Sequence, residues 1–259
     1  MTDVVVEKQI LHFDRQHSYQ FGVFLAEPLA RDANMLRDAI RKDRTPGRNG
    51  YSIHLRTQEF AKQVTVGAVN QVTDIIQWTG PSVWRLTASA ERIDVFAEAK
   101  EYFDVANRQM SLRDAADRVV GNLAVLPEEL GAKVKRLACI AKYEASEDQC
   151  SSPAKFVARR FFNESIQSHD TLIDLAGRVN FGKRGVVSSL PELLLNRIET
   201  GEAKWALKDG QVAKSLAWQY DCNTSPEFSG PLTKVQIQEF FAAAVEWIET
   251  SHEGLFHDA

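Results

Sequence analysis

The chain has 259 residues, 44% hydrophobic and 25% charged, with a formal charge of −4. These values suit a globular protein with a full core and exclude a basic coat over the whole surface, as broad nucleic-acid binding needs. Its apolar runs fall short of the ~20 residues of a spanning helix, so no membrane partner is expected.

In chain order, KQILHF and YQFGVFLA read as strands joined by a polar hairpin at residues 14–18. Residues 29–43 place Leu29, Ala33, Leu36, Ala39 and Ile40 at helical spacing, and Thr45-Pro46-Gly47 stops them. YSIHLRT is a short strand, and DIIQW a second one after a helical turn. SVWRLTASAERIDVFAEA is the clearest hairpin, turning near Ser89-Ala90-Glu91.

Ser111 then opens a helix as N-cap, with Asp114 at N3. Leu112, Ala115, Ala116, Val119, Val120 and Leu123 give it one apolar stripe. KVKRLACIAKYEA is a long strand, and Ser152-Pro153 caps a short helix. TLIDLAGRVNF and SLAWQYDC are strands. SLPELLLNRIETG is open between a helix, with Ser189 and Glu192 as a capping box, and an edge strand. A second box, Thr233 with Gln236, starts a last helix with Ile237, Phe240, Phe241, Ala244, Val245 and Ile248 as its stripe.

Both capped helices follow a strand and a polar loop, and Val95 to Leu112 and Tyr220 to Ile237 are equal intervals. The expected fold is α+β: antiparallel sheets covered by amphipathic helices, in two loosely similar halves, 1–145 and 146–259, forming one unit. The segments VWRLTASAERIDVF, KVKRLACIAKY, SLAWQYDCNTSPE and QEFFAAAVEWIE resemble a sporadically distributed family of uncharacterised prokaryotic proteins. The resemblance spans roughly residues 70–259. It implies a fold type, and brings neither an activity nor catalytic residues.

Candidate chemistry is sparse. Glu98-Ala99-Lys100 fits the second half of a PD-(D/E)xK nuclease site, with Asp74 as first acid: two carboxylates would hold a divalent metal and Lys100 would support the attacking water. The other reading of the same residues is a strand leaving its sheet among solubilising charge. Gly177 to Lys183 matches seven positions of a phosphate-binding loop, but Arg184 stands where Ser or Thr must hold the metal. A strand end turning through glycines explains it better. Three cysteines without CxxC spacing predict free thiols in a reducing, cytoplasmic setting. MTDVVVEKQI lacks the basic start of a signal peptide.

The charge pattern is more informative. Residues 31–56 hold seven basic and three acidic side chains, a local +4 against −8 for the remainder. Arg41, Lys42, Arg44 and Arg48 surround a Pro/Gly turn, so they are expected to meet an anionic partner, either an acidic protein surface or a nucleic-acid backbone. A solvated helix face is the competing reading. The functional expectation is a cytoplasmic, complex-forming binding protein without catalysis and without cofactor. The metal-dependent nuclease is the alternative.

Overall fold

The computed structural model describes residues 16–28, 52–58, 73–79, 83–88, 91–99, 111–146, 150, 152–162, 166, 175–208, 211–228 and 230–257. Its strands are β1 (Gln16–Leu25), β2 (Ser52–Gln58), β3 (Thr73–Thr79), β4 (Val83–Ala88) and β5 (Arg92–Ala99), then β6 (Val134–Ser146), β7 (Leu175–Lys183), β8 (Leu195–Lys208) and β9 (Gln211–Thr224). The helices are α1 (Leu112–Glu129), α2 (Pro153–Phe161) and α3 (Lys234–His257). The strands form one antiparallel sheet in the order β2-β3-β4-β5-β1-β6-β9-β8-β7. The α+β expectation holds.

Strand alternation explains why one face is dry. On β1, Tyr19, Phe21, Val23 and Leu25 are buried, and every second residue lies on the same side. Register carries that side across the sheet, from Phe21 to Cys139 to Cys222. Phe21 meets Phe241 of α3 edge-on at 5.9 Å. Farther out, Trp218, on the same side of β9 as Cys222, meets Phe156 and Phe161 of α2. The buried stripe of α1, from Leu112 to Leu123, joins this same core. All three described helices therefore cover one face of the sheet.

On the opposite face, Asp94 is buried and held by side chains of its own sheet. Arg92 Nε bonds it at 2.7 Å, and Gln20 Nε2 donates to its Oδ1 at 3.0 Å. Gly22 beneath it leaves the necessary room, because a Cβ there would come within 2.5 Å of that oxygen. Phe24 lies beneath two guanidinium groups, those of Arg92 (4.3 Å) and Arg136 (5.3 Å).

The two halves correspond strand by strand. Each has a first strand, β1 or β6, lying beside the last strand of a meander, β5 or β9. The pair Phe21–Val95 matches the pair Ala141–Tyr220, and from Val95 and Tyr220 the chain runs equal lengths to Leu112 and Ile237. Under the same matching Gln20 corresponds to Ile140, and these two residues pair with each other. An approximate two-fold relation through the β1–β6 pairing accounts for all three facts. Strand β2 is an additional edge of the first half.

Local signals at helix ends are mostly realised. Ser111 Oγ accepts from Asp114 N (3.0 Å) and Asp114 accepts from Ser111 N, a full capping box. Gly131, at φ 67°, takes the left-handed conformation that ends α1. Thr233 and Gln236 form the second box.

Three expectations need correction. Gln16 to Ser18 belong to β1, paired with β5 and β6, and are not a hairpin turn. Ser152 makes no side-chain capping bond, so Pro153 alone marks the start of α2. Ser189 and Glu192 form no box. Ser189 instead donates to Glu239 of α3 from both its N–H and its hydroxyl, and LLLNRI leads into strand β8. The expected helix at 29–43 lies outside the described residues.

Candidate functional site

Of the sequence-predicted site residues only Asp74 and Glu98 fall among the described residues, and the strand register separates them. Asp74 pairs with Ala88, which pairs with Ile93, whereas Glu98 pairs with Val83. Glu98 is thus five positions along β5 from the row of Asp74, about 16 Å, with β4 between their strands. Two carboxylates on one metal stand about 5 Å apart at most. The register does not bring these positions together. Lys100 and the basic residues Arg41, Lys42, Arg44 and Arg48 lie outside the described residues. Among the described residues no three of His, Cys, Asp and Glu gather as a metal site.

What the fold does assemble lies on the helix-covered side of β7, β8 and β9. Arg197, Glu199 and Gly201 alternate along β8 and face inward. Glu199, buried, takes two bonds from Arg160 of α2, Nε at 3.1 Å and Nη2 at 2.9 Å. Trp218 Nε1 donates to the same carboxylate at 3.2 Å. Buried and doubly bonded, this carboxylate anchors α2 to the sheet.

Glycines make that anchoring geometric. Gly177 and Gly201 pair across β7 and β8, and Phe161 lies over both. A Cβ at Gly177 would stand 2.3 Å from Phe161 Cδ2. Phe161 in turn stacks on Trp218 at 5.3 Å. Of the two glycines that imitated a phosphate-binding loop, Gly177 therefore seats an aromatic ring, and Gly182 lies against Leu194.

Beside this lies a second polar position with a different character. Arg197 is only 8% exposed, yet among the described residues no carboxylate pairs with it. Its guanidinium stands over Trp247 of α3 at 5.4 Å and beside the Cys222 sulfur, and its Nε has no hydrogen-bond partner. Tyr220, two residues along β9 from Cys222, also meets Trp247 edge-on at 5.9 Å, and its buried hydroxyl likewise lacks a hydrogen-bond partner among the described residues. On the edge strand, Phe181 is opposite Arg197 and meets Trp247 at 5.9 Å.

Burial dominates the electrostatics of this core. It pushes the Cys222 thiol up to about 12, against a smaller pull downward from Arg197. It likewise raises Tyr19, Tyr143, Tyr220 and Cys139 above their ordinary ranges. For an acid whose native pKa is raised, the native state holds its proton longer than the unfolded chain does. That stability is complete below the unfolded pKa and is lost as pH rises beyond it. The melting temperature should therefore fall progressively above the ordinary thiol value of 9.0, and more steeply above 10.0, where unfolded tyrosines ionise. A flat melting profile between pH 8 and 11 would contradict this burial.

The edge itself is the third feature. β7 ends the sheet order, and Val179 (40%) and Phe181 (42%) are exposed on it. Arg178, Lys183 and Arg184 are exposed alongside, with no acidic residue between Leu175 and Arg184. Sequence reading missed these residues because Arg197 and Glu199 sit on the buried side of a strand, where alternation predicts apolar side chains. The exposed Val179 and Phe181 read simply as strand. Comparison of the sequence with protein-family models and with curated proteins finds no match.

Proposed function

We propose that the protein is a cytoplasmic, complex-forming binding module whose β7 edge accepts an extended acidic segment of another protein as an added strand. One observation carries this reading: a nine-residue edge strand without proline that exposes Val179 and Phe181 beside cations, with no acidic residue between Leu175 and Arg184. Edge strands are ready templates for pairing, and proteins usually blunt them. Here the cations Arg178, Lys183 and Arg184 oppose pairing with a second copy, which would bring like charges together, and select an acidic strand. Main-chain bonds would supply affinity, and apolar side chains opposite Val179 and Phe181 would set register. Arg41, Lys42, Arg44 and Arg48 carry the same sign of charge in sequence. Among the described residues no helix is long and apolar enough to cross a membrane.

The test is fluorescence anisotropy of a labelled peptide alternating Glu with Val or Ile, titrated with the full chain. Binding is expected to weaken as salt rises and to fall at least tenfold in Arg178→Glu/Lys183→Glu/Arg184→Glu. That variant should melt as wild type does, since exposed charges contribute about 0–1 kcal/mol each. Amide exchange of β7 should slow on binding. Equal binding of a Lys/Val peptide, or undiminished binding by the variant, would refute the reading.

A further inference from the structure

We infer that Arg197 is the anchor of a binding site for a small organic monocarboxylate, seated against Trp247 and reached from the β7 edge beside Phe181. A buried charge is costly unless it is paired. In this core the other inward-facing charge of β8, Glu199, has a bidentate cationic partner, while Arg197 has an aromatic face, a neutral thiol and an unpartnered Nε. A guanidinium offers a planar donor fork that fits a carboxylate. The unbalanced charge is a single one. A monoanion neutralises it, whereas phosphate as a dianion would leave an excess negative charge buried. The surroundings are aromatic, with Trp247 over the guanidinium and Phe181 at its register position on the edge strand, so the ligand carries an apolar or aromatic body. The Tyr220 hydroxyl, also buried and without a hydrogen-bond partner beside Trp247, is a further polar atom on this wall.

Strand addition at β7 is not required for this site, and the two fail separately. The probes are phenylacetate, its uncharged counterpart phenylacetamide and inorganic phosphate, each titrated at millimolar concentration into the full chain. Melting temperature and tryptophan fluorescence are the readouts. Phenylacetate should raise the melting temperature of wild type in proportion to the logarithm of its concentration and perturb the fluorescence; phenylacetamide and phosphate should do neither. Arg197→Met removes the charge at similar volume. Without ligand it should melt at or above wild type, as expected when an unpaired buried charge is replaced by an apolar side chain, and its response to phenylacetate should fall at least tenfold. Trp247→Phe should keep a weakened stabilisation while losing the fluorescence change. Equal responses to phenylacetate and phenylacetamide, an unchanged response in Arg197→Met, or no response of wild type to phenylacetate would each overturn the assignment. A marked drop in melting temperature of Arg197→Met alone would show Arg197 to be a structural residue, and would also overturn it.

Discussion

Phe241→Asp should abolish cooperative folding. Phe241 is fully buried where α3 crosses the centre of the sheet, edge-on to Phe21 at 5.9 Å and to Phe240 at 5.1 Å. Removing a buried phenylalanine side chain costs about 3–5 kcal/mol, and a carboxylate without a partner in that position adds several more. Together these reach well into the roughly 5–15 kcal/mol by which a protein of this kind is stable. The expected far-ultraviolet circular dichroism at 37 °C is that of an unfolded or collapsed chain, without a sigmoidal melt. Phe241→Leu, which keeps most of the volume, should still melt cooperatively, less stable by about 1–3 kcal/mol. If Phe241→Asp melts as wild type does, α3 is peripheral and the one-faced core is wrong.

Gly201→Val is expected to have the second largest effect, for a steric reason. The added Cβ would stand 2.4 Å from Trp218 Cζ3 and 2.8 Å from Phe161 Cε2. Neither ring can easily retreat. Trp218 is held by its bond to Glu199, and Phe161 stacks on it from the end of α2, whose Arg160 binds the same carboxylate. Overpacking of this sort costs about 3 kcal/mol, which for a chain of this length lowers the melting temperature by about 10 °C. Near-ultraviolet dichroism from Trp218 should change at the same time. Gly121→Ala is the matched control. A Cβ at Gly121 meets no heavy atom within 4 Å, and alanine is the better helix former, so that variant should be unchanged or slightly more stable.

Residues acting over one or two turns were legible without the structure. The stripes of α1 and α3 and the β4–β5 hairpin are properties of periods 3.6 and 2 and of side chains reaching backbone three positions away. The equal intervals from Val95 to Leu112 and from Tyr220 to Ile237 also announced the repeated strand-to-helix unit, which the register of β1, β5, β6 and β9 then expresses as matched pairs. One local signal went unused. Asp209-Gly210 is a composition strongly favoured in two-residue hairpins, and Lys208 pairs with Gln211 around it, making β8 and β9 the longest paired ribbon of the sheet.

The candidate site was the least legible part. Asp74 and Glu98 looked like a pair because a nuclease site takes an acid from one strand and a Glu-x-Lys from the next, but spacing along the chain says nothing of which rows meet across β4. Ser189 promised a cap for residues just after it. It found Glu239 instead, fifty residues on, whose carboxyl its N–H and hydroxyl hold below the usual range. Arg197 and Glu199 are equally polar in sequence, and only the approach of α2 separates the paired charge from the unpaired one.

By itself the sequence determined the helices α1 and α3 with their apolar sides and the β4–β5 hairpin, because those depend on interactions among residues a few positions apart. The tertiary structure alone decided that β1 lies between β5 and β6, that the three described helices share one face, that Gly177 and Gly201 seat Phe161, and that Arg197 is buried without a counter-charge among the described residues. Each of these depends on contacts between residues far apart in the chain, whose formation sets packing and desolvation against the entropy of closing long loops, and no local pattern records which distant partner wins.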